Sequence, residues 1–217
     1  TVLIRMPAKA GRRELRMKYV IGTRGSKLAL AQASYVCDRL KEAYPENDYE
    51  IRIIRTKGDA VQDRPLDQIG DKGVFVKEIE EQILAGKVDM GVHSMKDMPA
   101  QPAPGLAFVH AWKREDPRDV LILREKKALR ELPYGAVIGT GSRRRELQLK
   151  RLRPDLKVVG IRGNVDTRLR KMEELKLDGL VLAAAGLHRL GMAERITEYL
   201  EPDQMIPAPA QGVLALE

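Results

Sequence analysis

Apolar positions recur along this chain in two alternating patterns. Short runs rich in β-branched residues, KYVIG (18–22), EIRIIRT (50–56) and VDMGVH (88–93), read as strands. Between them, Ser26 to Tyr44 and Val74 to Ala85 place apolar residues at helical spacing. The stripe predicted to face the core is Leu28, Ala31, Tyr35, Val36 and Leu40 in the first helix, and Phe75, Ile79 and Ile83 in the second. Strand and helix alternating in this way build a mostly parallel sheet covered by helices. The rhythm breaks at PAQPAPG (99–105), where proline and glycine favour a crossing segment over a helix. It resumes after AFVHAWKREDPRDVLIL with AVIGT (136–140), KVVGI (157–161) and GLVLAA (179–184). The last stretch, PAPAQGVLALE (207–217), ends in an apolar run able to return to the first unit as a strand. The pattern predicts an α/β protein of two domains, residues 17–113 with 206–217 and residues 114–205, doubly connected around a cleft. Residues 1–16 have no place in the alternation and read as a tag remnant or upstream extension, and the chain reads as cut short inside a strand at Glu217.

Composition narrows the class. With 217 residues and 43% apolar side chains the chain can bury a real core. No apolar run approaches the roughly 20 residues that span a bilayer, so no membrane association is expected. The N-terminal stretch lacks the apolar block of a secretory signal, which makes the cytoplasm the expected compartment. The single cysteine, Cys37, excludes an internal disulfide and any cysteine-based zinc motif. It lies in mid-helix and reads as a small buried residue. The 39 Lys+Arg against 31 Asp+Glu leave a net charge of +8, which points to an anionic partner. Only 4% of residues are aromatic, too few for a platform that stacks single-stranded nucleic acid. A small polyanion held in the cleft fits better.

The motifs fall at the C-terminal ends of predicted strands, where open α/β sheets present ligand sites. GTRGS (22–26) sets Arg24 beside a helix start that Ser26 is placed to cap. GTGSRRREL (139–147) repeats the arrangement with Thr140 and Ser142 ahead of Arg143, Arg144 and Arg145. Helix N-termini favour negative side chains by about 0.3–1 kcal/mol, so three cations in a first turn predict an anion from outside the chain; the alternative is a solvated basic surface. GIRGNVDTRLRK (160–171) adds Arg162 and Arg168 around a Gly163–Asn164 turn, and AAAGLHRLG (183–191) adds Arg189. Guanidinium groups converging on one cleft match carboxylates bidentately. Neither a P-loop nor a G-x-G-x-x-G motif opening a helix is present, which disfavours nucleotides.

VHSMKDMP (92–99) places Lys96 and Asp97 at the mouth of the core. A carboxylate among arginines stays ionised, can stabilise a cationic transition state and can exchange protons with a leaving amine. Asp97 is therefore the candidate catalytic residue. A Lys96–Asp97 surface pair or a helix cap is the plainer alternative, and His93, inside the strand run, reads as a core histidine.

The segments GTRGSKLALAQ, GDKGVFVKEIE, DMGVHSMKDMP, REDPRDVL, IGTGSRRRELQL, IRGNVDTRL, AAAGLHRLG and PAPAQG resemble, in order, the signatures of the hydroxymethylbilane synthase (porphobilinogen deaminase) family from about Met17 to Glu217. The resemblance implies two domains of the type II periplasmic-binding-protein kind around a cleft. It implies a monomeric transferase of tetrapyrrole, and so heme, biosynthesis that deaminates four porphobilinogens, joins them head to tail on a dipyrromethane primer and releases hydroxymethylbilane. It assigns the catalytic aspartate to Asp97, which contacts pyrrole N–H groups and stabilises an azafulvene-like cation once ammonia has left. Arg24, Ser26, Ser94, Lys96, Thr140, Ser142, Arg144, Arg145, Arg162, Arg168, Arg189 and Gln211 match positions that hold the dipyrromethane, the growing chain or substrate carboxylates. Lys72 and Phe75 fall in the loop that covers the site.

Three departures from the family pattern stand out. Gly141 replaces a commoner serine and Arg143 a usual leucine, which suggests one hydroxyl contact fewer and one cation more. Gln68 replaces a lysine often found in the covering loop. The family's primer hangs by a thioether on a cysteine of a third, C-terminal domain that this sequence does not reach, so residues 1–217 alone are expected to bind porphobilinogen weakly without turning it over. Two rival readings stay open: a non-catalytic two-lobed receptor for a carboxylated ligand, which has no use for Asp97, and nucleic-acid binding, which would show steep salt dependence.

Overall fold

In the computed structural model, residues 16–60, 75–125 and 128–217 are described. The first half builds β1 (Lys18–Thr23), α1 (Lys27–Ala43), β2 (Asp48–Ile53), the short α2 (Lys57–Ala60), α3 (Lys77–Leu84), β3 (Met90–Ser94) and β4 (Val109–Ala111). The second builds β5 (Asp119–Leu123), β6 (Val137–Gly139), α4 (Arg143–Leu152), β7 (Lys157–Val159), α5 (Val165–Glu174), β8 (Gly179–Ala183), α6 (Ala184–Arg189) and β9 (Glu198–Leu200), before β10 (Leu214–Leu216) closes the chain. One five-stranded sheet has the order β2-β1-β3-β10-β4 and the other β7-β6-β8-β5-β9.

The two sheets share one scheme. In the first, β1 runs parallel to β2 and β3, while β10 lies antiparallel between β3 and β4. In the second, β6 runs parallel to β7 and β8, while β5 lies antiparallel between β8 and β9. Parallel and antiparallel pairings are thus equal in number in each sheet, so the antiparallel share is larger than the βαβ rhythm implied. The terminal strand does return to the first sheet, with Leu214, Ala215 and Leu216 opposite Ser94, His93 and Val92.

Each sheet buries apolar faces. Ile21, Ala33, Val36, Cys37, Leu40, Val92 and Leu214 pack on one side of the first sheet, and Ile54, Ile79 and Val88 form a smaller cluster. The second sheet separates the Leu121, Ile138, Leu149 and Val181 cluster from that of Val120, Ile122, Leu180 and Leu187. The inward face of α1 is turned from the predicted stripe: Ala29, Ala33, Val36, Cys37 and Leu40 are buried, whereas Tyr35 is 43% exposed and meets Trp112 edge-on. Leu28 turns toward the cleft instead of the core. Cys37 is buried, and burial raises its thiol pKa. His93 is buried with its Nε2 atom 3.2 Å from the Glu217 carboxylate.

The two segments that cross between the sheets are tied to each other. Glu115 N donates to Gly212 O (3.1 Å) and Arg114 Nε donates to Gln211 O (2.8 Å). Gly212 has φ +89°, and a Cβ there would stand 2.4 Å from the Glu115 carbonyl oxygen. Only glycine suits that backbone and that approach.

Candidate functional site

At the cleft edge of the first sheet, β1 runs into Arg24 and then into Ser26, whose extended backbone caps α1 while its Oγ accepts from Ala29 N at 3.2 Å. Arg24 stacks over the Phe75 ring, 4.1 Å from its centroid. Phe75 therefore lies ahead of α3 and lines the cleft, and the core face of α3 is carried by Ile79. β3 ends at Ser94 and continues into the single turn Met95–Asp97. Gln32, buried on α1, donates from Nε2 to Ser94 Oγ (3.0 Å) and fixes where that turn begins.

The second sheet contributes in the same way. Ser142 caps α4, its Oγ accepting from Arg145 N at 3.5 Å. Beyond β7, Arg162 and the Gly163–Asn164 turn lead into α5, and Arg168 folds back to donate from Nε to Gly163 O (2.7 Å). Arg189, in the last turn of α6, donates to Gly212 O (2.7 Å).

These pieces enclose a cavity of about 510 Å³ between the two sheets. Arg24, Ser26, Phe75, Ser94, Lys96 and Asp97 line it from one side, Arg145, Arg162, Arg168 and Arg189 from the other, and Gln211 from the returning segment. Thr140, Ser142 and Arg144 are absent from its wall. Thr140 is buried and its Oγ1 accepts from Ser142 N (3.2 Å), while Arg144 turns to Asp119 and to the Ile206 carbonyl. Lys72 and Gln68 lie outside the described residues. Arg143 pairs with Glu146 (2.8 Å) on the exposed face of α4, so the extra cation does not enter the cleft.

The anion expected from outside the chain at the start of α4 is supplied from within. Asp119, fully buried, has its Oδ1 atom 2.8 Å from Arg145 Nη2 and 3.0 Å from Nε, and its Oδ2 atom 2.7 Å from Arg144 Nη1. Burial alone would raise its pKa; Arg145, Arg144 and a hydrogen bond from Gln211 outweigh it and hold the carboxyl below its usual value. Asp119 gives no signal in the sequence, because ligand residues of open α/β sheets are expected at the C-terminal ends of strands. Asp119 opens an antiparallel strand, so the first residue of β5 lies opposite Ala183, the last of β8, at the cleft edge. Gln32 was missed as well: a polar residue at a buried position of α1 was its only signal.

The cavity wall carries seven basic side chains against two acidic ones. Removal from water and the nearby Arg145 lower the Lys96 pKa to about 8, against the pull of Asp97 and Asp119. Arg168 falls to about 10, through burial first and then Arg145. Arg145 and Arg189 are lowered too, by burial in each case. Among the described residues no hydrogen bond or ion pair engages the Asp97 carboxylate, which opens onto this cavity. Across the mouth, Lys27 Nζ reaches Asp166 Oδ2 at 3.3 Å. No cluster of metal-ligating side chains occurs among the described residues. The arrangement can bind a multiply carboxylated ligand and hold a carboxylate against positive charge that develops on it.

Comparison with known proteins bears on family and fold. A family model described as "Porphobilinogen deaminase, dipyromethane cofactor binding domain" matches residues 19–217. The porphobilinogen deaminase of Lachnospira eligens is 64% identical over 93% of this chain and 69% of its own length. That of Clostridioides difficile is 59% identical over 93% of this chain and 67% of its own length. The chain thus spans about two thirds of these relatives. Among solved structures, the lipoprotein Tp32 of Treponema pallidum superposes with a TM-score of 0.56 at 14% identity, covering 93% of this chain and 84% of that one. The methionine-binding protein MetQ does so with a TM-score of 0.55 at 14% identity, covering 92% and 82%. At such identities the likeness concerns the fold, which is that of a type II periplasmic binding protein.

Proposed function

This chain belongs to the porphobilinogen deaminase family, the hydroxymethylbilane synthases, and on that premise we propose how its cleft serves the reaction. The family transfers four porphobilinogen units head to tail, releasing ammonia, and binds a dipyrromethane cofactor. Each ring carries an acetate and a propionate, so two rings bring four carboxylates to the cleft. The residues present fit such a group. Arg162 Nη1 is buried with no hydrogen-bond partner among the described residues, an unmet donor that a carboxylate would satisfy. Arg24, Lys96, Arg145, Arg162, Arg168 and Arg189 would hold the carboxylates, with Ser26, Ser94 and Gln211 as neutral contacts. When bound, the dipyrromethane supplies the pyrrole carbon to which the next ring is joined.

Asp97 carries the proposal. Its carboxylate opens onto a wall of cations with no hydrogen bond among the described residues, so it is left to meet positive charge on the substrate. It would accept pyrrole N–H hydrogen bonds and stabilise the cation left when ammonia departs. Thr140, Ser142 and Arg144 act from behind the wall, holding the start of α4 and the Asp119 cluster. Phe75, beneath Arg24, would form part of the cover of the site. A receptor without chemistry is not favoured, since the relatives at 50–64% identity are enzymes. We assign residues 17–113 with 206–217 to one domain and 114–205 to the other; limited proteolysis tests that division. A cytoplasmic monomer belongs to the same reading, which light scattering on the purified protein tests for its oligomeric part. Among the described residues no helix is long and apolar enough to cross a membrane.

The deciding experiment is Asp97→Ala in the holoenzyme. Hydroxymethylbilane formation should fall by about 100-fold or more, the magnitude typical of losing a transition-state partner, with the melting temperature unchanged. Turnover at the unsubstituted rate would refute the assignment.

A further inference from the structure

The buried carboxylate behind the cavity wall is linked to the catalytic turn through one side chain. Gln211 Nε2 donates to Asp119 Oδ1 (2.9 Å) and to the Pro117 carbonyl (2.7 Å), while its Oε1 accepts from Lys96 Nζ at 3.3 Å. Both ends of the carboxamide are thus engaged, which fixes which end faces Lys96. Asp119 belongs to the second sheet, Lys96 follows a strand of the first, and Gln211 lies on the segment crossing between them. Asp119 also takes the arginines: Arg145 through Nε and Nη2 on Oδ1, and Arg144 on Oδ2. Its Oδ2 lacks a well-aligned hydrogen bond, so Arg144 is held there chiefly by charge. Arg145 is anchored further by the Val181 carbonyl (3.1 Å) and still lines the cavity.

We propose that Asp119 is a positioning residue of this enzyme: it aims Arg145 into the cleft and, through Gln211, places the Lys96 ammonium next to Asp97. Arg145 has its Nε and one terminal nitrogen on Asp119 and the other on Val181, so little rotational freedom remains to its guanidinium. An arginine held this way meets a substrate carboxylate without being ordered at the moment of binding. Asp119 itself is fully buried, touches no part of the cavity and therefore acts only through its partners. Among the described residues the charged groups that act most strongly on Lys96 are Arg145, Asp97, Asp119 and Arg144. Two of them are cations that favour proton loss and two are anions that oppose it, and Asp119 is one of the two anions. Removing its charge should make Lys96 give up its proton at lower pH.

The proposal rests on the porphobilinogen reaction, so the unsubstituted holoenzyme is assayed in parallel; if it fails to form hydroxymethylbilane, the functional reading falls and not this inference alone. Asp119→Asn should raise KM for porphobilinogen about tenfold with a smaller change in kcat, the signature of a weakened carboxylate anchor. Competitive acetylation of Lys96 across pH, read by peptide mass, should half-titrate at lower pH in Asp119→Asn than in the parent holoenzyme. Because an asparagine beside two arginines threatens folding, Gln211→Met is made as well. It leaves the buried charge in place while removing the carboxamide that joins Asp119 to Lys96. A downward shift of Lys96 titration is expected here too, because the ammonium loses its acceptor on Gln211. A folded Asp119→Asn enzyme with parental KM and parental Lys96 titration would overturn the proposal. If that variant does not fold, an unchanged Lys96 titration in Gln211→Met overturns it.

Discussion

A lysine ammonium hemmed in by cleft walls and facing Arg145 gives up its proton more readily than one in water, which places Lys96 at about 8 instead of 10.5. If Lys96 must be charged to hold a substrate carboxylate, kcat/KM should fall as pH rises through about 8, and a pH–rate profile checks this. The sign for stability is opposite. A depressed folded pKa means the fold disfavours the ammonium, so proton release between about 8 and 10.5 relieves the folded state as pH rises. A carboxylate bound beside Lys96 would reverse the balance by giving the ammonium a partner. Gly141 is the other telling residue. A Cβ there would stand 2.7 Å from the Ile161 carbonyl oxygen, a backbone atom that cannot swing aside. Gly141→Ser should therefore cost about 1–3 kcal/mol, measurable by denaturant titration, even though serine is commoner there in the family pattern.

Among the elements, α1 shows how one cap serves both fold and site. Ser26 satisfies the amide of Ala29 at the first turn of a 17-residue helix, and the same turn aims Arg24 and Lys27 at the cleft. Ser26→Ala should lower stability by about 1 kcal/mol and also weaken substrate binding; a denaturation midpoint and KM read the two effects separately. The helices themselves were legible in sequence because their caps and apolar spacing are local properties. The rotation of α1 was not: Ala29, Ala33 and Cys37 face the sheet and Tyr35 faces outward, because small residues let the helix lie close against β1 and β3. The local stripe held alanines on more than one face, and only the partner surface chose between them.

For the whole molecule, the pair of crossing segments is the joint on which cleft geometry depends. Gly212 passes so close to Glu115 that any side chain must push the two segments apart, and its φ of +89° is unfavourable for other residues. Gly212→Ala should cost about 1–3 kcal/mol from backbone strain alone and alter the separation of the sheets, visible as a changed radius of gyration in X-ray scattering. The Lys27–Asp166 pair across the mouth is exposed, with side-chain accessibilities of 76% and 49%, so it contributes at most about 1 kcal/mol and is screened by salt.

What the amino-acid order determined by itself was everything that depends on near neighbours. The apolar periods placed the strands and longer helices, the glycine and serine turns placed the caps, and arginines after successive strands marked a cationic cleft before any contact was known. The place of Asp97 on the cavity wall was readable because a charged pair followed directly on a buried strand. Only the tertiary structure decided which arginines face the cavity. Asp119, about 25 residues before Arg144 and Arg145, takes both of them in hand; it then shares Gln211, far along the chain, with Lys96. Charge in a protein acts through distance in space, and strands that run antiparallel bring to the cleft the residues that open them as well as those that end them.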